Sequence, residues 1–331
     1  MTPGTRLPRR YGRWLVVALA VQALLAATTL FIGGAADAVV AGRNGKIVFA
    51  RVICHSDTKP CWELVVAHAD GSHQKVIAGP YPRSVWDDHF IANWSPDGRR
   101  VIFMADLGGR QGIWQVGAYG HHLKKIFTAP RGTGLDDGPA FTPDGRHIIF
   151  TRCCPAVSGY ALWEIRVNGS HLRMFTDDSV PPGVDGPSDN LPQVSPDGRY
   201  VVFHRNHDGA DRITIARHPS GRFHEITPPT FDAQVPNWSP DGKRIVFEHE
   251  GSVWSVRPSG RHLKRLTFDS DNTASFAPSY APSGRSIVFS RFTPRGNVDL
   301  YKMNPDGSRS RALTRTKATE LWPQWAPRRG G

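Results

Sequence analysis

The sequence is poor in sulfur, with four cysteines and four methionines in 331 residues. It has no Cys-x-x-Cys pair and no His-x-x-x-His spacing. Tetrahedral zinc modules built on those spacings are therefore excluded. It contains no Gly-x-Ser-x-Gly elbow, no glycine-rich phosphate loop and no His-Glu-x-x-His, which removes α/β-hydrolase, P-loop and zincin chemistry. Charged residues make up only 21% of the chain, yet 39% is apolar, so a disordered polyelectrolyte is excluded as well. Glycine (33) and proline (27) are plentiful without a fixed short period, which marks many turns rather than a collagen-like thread.

Acid is missing from residues 1–13, which carry Arg6, Arg9, Arg10 and Arg13. A 19-residue uncharged run follows over 14–32, then Ala36-Asp37-Ala38, a small-x-small site. This layout predicts a signal peptide or an N-terminal membrane anchor over 1–38, with a single domain over 39–331. The mature chain is then exported: periplasmic, extracellular or anchored facing outward. Losing four Arg and one Asp takes the net charge from +12 to +9. An exported chain keeps disulfides. Cys54 and Cys61, flanking a proline-containing loop, are expected to pair. Cys153 and Cys154 are adjacent, and three outcomes stay open: a vicinal disulfide, reduced thiols, or a bridge to another loop.

What the sequence has in abundance is itself, repeated. Trp94-Ser-Pro-Asp-Gly98 precedes Val101-Ile-Phe103, and Phe141-Thr-Pro-Asp-Gly145 precedes Ile148-Ile-Phe150. Val194-Ser-Pro-Asp-Gly198, Trp238-Ser-Pro-Asp-Gly242 and Tyr280-Ala-Pro-Ser-Gly284 repeat the pattern before Val201-Val-Phe203, Ile245-Val-Phe247 and Ile287-Val-Phe289. Proline sets φ, aspartate bonds the local backbone and glycine takes the positive φ of a tight turn. The β-branched run after it reads as a strand buried on both faces. A third run, such as Val253-Trp-Ser-Val256, leads through a second turn to a polar fourth run, such as Leu263-Lys-Arg-Leu266. Four antiparallel strands per period of about 45 residues form a propeller blade. Lysine and arginine on the outermost strand protect its edge.

The ends set the blade number. Gly45-Lys-Ile-Val-Phe49 is a second strand with no first strand before it, and Leu321-Trp-Pro-Gln-Trp325 is a first strand with nothing after it. The reading is an all-β, six-bladed β-propeller of four-stranded antiparallel blades whose closing blade is shared between the N- and C-termini. Deleting residues 318–331 is expected to destabilise the whole ring. These Ser-Pro-Asp-Gly-(Lys/Arg)-x-Ile-Val-Phe repeats resemble the TolB-like six-bladed β-propellers, which share their architecture with the WD-repeat propellers. The resemblance covers roughly residues 44–327. It implies a periplasmic module that binds an envelope protein.

One face of such a ring carries the short Asp-Gly turns. The other carries the long connections 52–61, 79–89, 129–138, 153–160 and 177–191, and function concentrates on loops of that kind. Five or six residues before each blade's anchoring residue stand Asp88, Asp136, Asp189, Asp232 and Glu320; before Tyr280, Asp271 lies nearby. These carboxylates should ring the mouth of the central channel, to receive a cation, an amine or a basic peptide. They could equally be paired with Arg51, Arg152, Arg205 and Arg291 at the tips of the second strands, and recurrence with the blades favours that pairing. The ligand-binding candidates are Asp88, Asp136, Asp189, Asp232, Asp271 and Glu320, with Trp86 and Tyr81 as apolar anchors. The expected function is a monomeric binding module for a protein or peptide of the envelope, with weak contact to anionic polymer or lipid through Arg257, Arg261, Lys264, Arg265, Arg309, Arg311, Arg315 and Lys317. No nucleic acid, cofactor or catalytic residue is expected. The alternatives are a metal-dependent polysaccharide lyase or hydrolase using His204 and His249 in the channel, and a purely structural envelope scaffold.

Overall fold

The computed structural model describes residues 43–53, 61–82, 92–107, 111–128, 136–153, 159–176, 186–270 and 272–328. Residues 1–38, expected to be a signal peptide or anchor, lie outside them, as do Trp86, Asp88, Asp271, Cys54, Cys154 and most of the long connections of the first three repeats.

Every regular element among the described residues is a strand. In chain order, β1 (Arg43–Val52), β2 (Cys61–Ala67) and β3 (Lys75–Pro82) build most of blade 1. Blade 2 holds β4 (Ala92–Trp94), β5 (Arg100–Asp106), β6 (Gln111–Gly117) and β7 (Lys124–Thr128). Blade 3 holds β8 (Asp136–Phe141), β9 (His147–Cys153), β10 (Tyr160–Arg166) and β11 (Arg173–Met174). Blade 4 holds β12 (Ser188–Val194), β13 (Tyr200–His207), β14 (Ala210–Arg217) and β15 (Phe223–Glu225). Blade 5 holds β16 (Ala233–Trp238), β17 (Ile245–His249), β18 (Ser252–Val256) and β19 (Lys264–Arg265). Blade 6 holds β20 (Ala274–Tyr280), β21 (Ile287–Phe292), β22 (Val298–Met303) and β23 (Arg311–Ala312). The last strand, β24 (Thr319–Arg328), pairs with β1 and completes blade 1. The innermost strands touch in the order β24, β4, β8, β12, β16, β20 and back to β24, which closes the ring.

Burial explains the sequence pattern. The second strand of each blade is covered on both faces, so Phe49, Phe103, Phe150, Phe203, Phe247 and Phe289 have no exposure. Alternate side chains enter the two neighbouring interfaces: Val201 and Phe203 pack with blade 3, while Val202 packs with blade 5. Each fully buried aromatic of this kind contributes about 1.5–3 kcal/mol over an exposed one.

The turn motif satisfies itself. Ser95 Oγ donates to Asp97 at 2.5 Å, Thr142 to Asp144 at 2.6 Å, Ser195 to Asp197 at 2.6 Å and Ser239 to Asp241 at 2.7 Å. The same carboxylates accept the backbone N–H two residues on; against partial burial, which raises it, the hydroxyl and N–H bonds together hold their pKa below the usual carboxylate range. Gly284 sits at φ +68°, a left-handed conformation that favours glycine, while a Cβ there would only touch Pro240 of the preceding blade at 3.4 Å. Threonines lock the outer strands. Thr176, Thr227, Thr267 and Thr314 each accept the N–H of a third-strand residue at 2.9–3.0 Å, worth about 1 kcal/mol apiece.

Innermost strands carry a bulge. Leu191, Val235, Ala277 and Trp322 all have positive φ (50–59°) beside shifts of register in β12, β16, β20 and β24. Non-glycine residues there store about 1–3 kcal/mol of strain each. The bulge separates the channel-mouth positions, before it, from the anchoring aromatic, after it.

Candidate functional site

The candidate carboxylates fall into different environments, and register decides which. Asp189 lies opposite Arg205 across β12 and β13. Both are buried, and Arg205 Nε and Nη2 meet the two Asp189 oxygens at 2.7 and 2.8 Å. The guanidinium also stacks 3.6 Å over the Phe223 ring. This carboxylate is neutralised and unavailable to a ligand. Asp136 and Glu320 occupy the matching register, opposite Arg152 and Arg51.

Glu320 nonetheless forms no ion pair with Arg51. The guanidinium turns outward to Glu63 (Nε to Oε1, 2.6 Å) and to Gln74 (2.9 Å). Glu320 is left with no exposure. Its Oε1 accepts from Thr316 Oγ1 at 3.3 Å, and Oε2 has no partner among the described residues. Burial, with Asp299 nearby, pushes its pKa up.

In blade 6 the register position opposite Arg291 is Ser275. The acid comes instead from Asp269, whose Oδ1 accepts Arg291 Nη2 at 2.7 Å and Ser275 Oγ at 3.1 Å. The proximity of Asp271 in sequence concealed this partner. The signal was the missing acid five residues before Tyr280, which obliges Arg291 to find a carboxylate elsewhere.

Asp232 stands one residue out of that register: the residue opposite the second-strand tip is Ala233, facing His249. One step along a strand reverses a side chain, and Asp232 is exposed. Its Oδ1 accepts the Asp211 N–H at 3.0 Å. Asp211 accepts in turn from Gln234 Nε2 at 2.6 Å and Asn206 Nδ2 at 3.1 Å. Glu248 lies within electrostatic range of both aspartates; surrounded by protein and held against their charge, its pKa rises to about 7. No lysine or arginine forms an ion pair with Asp211, Asp232 or Glu248 among the described residues. The mouth between blades 4 and 5 is thus a concentration of uncompensated acid.

The two histidines that the sequence offered for the channel border it without forming a ligand set among the described residues. His204 is buried in the blade 4–5 interface, and desolvation lowers its pKa, keeping the ring neutral. His249 Nδ1 lies 2.9 Å from the Asp232 carbonyl, and its ring stacks on Phe231 at 4.0 Å. Among the described residues no three His, Cys, Asp or Glu side chains are placed to share a metal ion. Tyr81 sits on β3, the outermost strand of blade 1, opposite Trp62 and half-buried. Cys61 begins β2 and is disulfide-bonded.

Comparison with known proteins bears on the same architecture. A family model described as the TolB beta propeller domain matches residues 87–273, more than half of the chain. The chain belongs to this TolB propeller family. Among curated relatives, the Tol-Pal system protein TolB of Francisella tularensis subsp. mediasiatica is 22% identical over 281 residues, covering 81% of this chain and 60% of the relative. The chain thus spans about three-fifths of the length of that relative. Among solved structures, TolB from Acinetobacter baumannii superposes with a TM-score of 0.69 at 20% identity, covering 86% of this chain and 67% of that one. An oligogalacturonate lyase in complex with manganese gives 0.52 at 12% identity, covering 82% and 74%. At these identities the structural likeness establishes the TolB-type ring and no activity.

Proposed function

We propose that this TolB-family propeller is an exported binding module that receives a protein or peptide of the cell envelope at the channel mouth, through basic side chains of the partner. The observation that carries the reading is the acid cluster of Asp211, Asp232 and Glu248, which has no cationic partner of its own among the described residues. Uncompensated carboxylates at a rigid mouth are complementary to lysine and arginine and speed association with them. The relatives' printed name, a Tol-Pal system protein, supports an envelope setting. Asp88 shares the six-residue offset of Asp232, so in this reading it and Trp86 stay ligand-binding candidates on the sequence alone. Asp271 and Glu320 are secondary, and Asp189 is structural. A Cys54–Cys61 disulfide would stiffen the first long loop of the same face.

The test is affinity capture from envelope extract, with the full chain as bait and a triple variant, Asp211→Asn, Asp232→Asn, Glu248→Gln, as control. A protein retained by the native bait and lost by the variant supports the reading. Identical captures from both baits would sink it.

A further inference from the structure

The turn face lies opposite the acid cluster, and among the five continuous turns between first and second strands it breaks its own pattern once. Asp97, Asp144, Asp197 and Asp241 occupy the same turn position in successive repeats; in the blade 6 turn the residue is Ser283. At that place a cavity of about 940 Å³ opens between blades 5 and 6, lined among others by Lys243, Arg244, Arg257, Tyr280 and Ser283. Three cations there face one carboxylate, Asp241, which already accepts from Ser239 Oγ and the Lys243 N–H. Neither Arg244 nor Arg257 forms an ion pair among the described residues. The adjoining cavity between blades 4 and 5, about 560 Å³, has the reverse balance, with Asp197 and Asp241 and no lysine or arginine in its lining.

A second feature of blade 6 falls on the same cavity. At the anchoring position, Trp94 and Trp238 donate their indole N–H to the backbone carbonyls of Gln324 and Gln193 in the preceding blades, at 3.2 Å. Blade 6 has Tyr280 instead. It is 2% exposed, lines the cavity, and its hydroxyl has no partner among the described residues. A buried hydroxyl without a partner is destabilising, a cost that a bound acceptor would remove. Burial holds the phenol neutral, with its pKa at about 12, so it can only present a proton to such an acceptor.

We infer that the cavity between blades 5 and 6 binds a phosphate ester, with Arg244, Arg257 and Lys243 supplying charge and the Tyr280 and Ser283 hydroxyls supplying neutral donors. Two guanidinium forks, an ammonium and two hydroxyls exceed what the two oxygens of a carboxylate can use, and they suit a tetrahedral group of higher charge. The phosphate could belong to a soluble glycerol phosphate or to a lipid headgroup.

Calorimetric titration of the full chain with inorganic phosphate, at constant ionic strength set with chloride, reads the site directly. Saturable binding in the millimolar range is expected. Arg244→Gln and Arg257→Gln should each weaken it about tenfold, and Tyr280→Phe by a smaller factor. Ser283→Asp restores the residue of the other repeats, so it folds; it should abolish binding. Absence of saturable heat in the native chain, or unchanged affinity in Ser283→Asp, overturns the inference. Two further arms locate the source. Glycerol phosphate binding that is sensitive to Ser283→Asp, without a matching change on vesicles, assigns a soluble ester. Loss of retention on phosphatidylglycerol but not phosphatidylcholine vesicles in Ser283→Asp assigns a headgroup.

Discussion

Blades 4 and 5 are neighbours built from the same repeat, and they treat their channel-mouth acid in opposite ways. In blade 4 the acid sits five residues before the anchor, in register with an arginine, and the two bury each other. In blade 5 it sits six residues before, and the arginine position is His249 while the residue before that is Glu248. One slip in spacing and two changes on the facing strand convert an internal ion pair into an outward-facing acid cluster. A repeat therefore specifies the backbone of a site, but register with the adjacent strand specifies whether its charge is spent on the fold or offered to a partner.

The largest expected effect comes from breaking the blade 4 pair. Arg205→Ala leaves Asp189 buried without compensation and should lower stability by about 3–5 kcal/mol, measured by urea unfolding. A loss below about 1 kcal/mol would mean that water reaches Asp189 and that the two blades differ little.

Glu248→Gln should act with the opposite sign and only in part of the pH range. Because the folded-state pKa, about 7, lies above the unfolded value near 4.5, the protonated carboxyl favours folding. That contribution is complete below about pH 4.5 and is lost as pH rises through about 7. The variant should therefore match the native chain at pH 4.5 and exceed it by on the order of 1–3 kcal/mol at pH 8. Partner binding should run the other way, strengthening above pH 7 as Glu248 gains its charge. Thermal melts across pH with both proteins check the first half, and capture at pH 6 and pH 8 checks the second.

Transplanting the blade 4 arrangement offers a finer probe. Ala233→Asp with His249→Arg places an acid and an arginine in register in blade 5, and a double-mutant cycle should show a favourable coupling of about 0.5–3 kcal/mol. No coupling would show that register alone does not create the pair. The smallest effect belongs to Asp232→Asn: within about 0.5 kcal/mol of native stability, yet weaker in partner capture. A large loss of stability would place Asp232 with Asp189, as a residue of the fold.

The ring was legible because its determinants are local and repeated. The Pro-Asp-Gly turns, the buried β-branched strands and the unmatched strands at the two ends read directly from the chain. The site was legible only as a set of candidate positions. Treating five- and six-residue offsets as equivalent hid the reversal of Asp232, since the period of a strand is two. Glu320 was visible as an acid facing Arg51, but the competing Glu63 on β2 was not, because cross-strand choice depends on geometry that spacing does not encode. Asp269 was obscured by Asp271, which lies nearer to Tyr280 in sequence. Ser283, which replaces the turn aspartate, and Tyr280 were both readable in the sequence, and only the shared cavity shows that they belong together.

The pairing of β1 with β24 has a consequence for how the molecule comes into being. The earliest strand of the ring and the latest are partners separated by more than 260 residues, so the costliest loop closure is the final one. Until β24 is made, β1 exposes an unpaired edge and the two flanking blades lack their inner neighbour. Synthesis order thus becomes a quality check: a prematurely ended chain cannot become a smaller working ring, and only a finished one can hide its first strand.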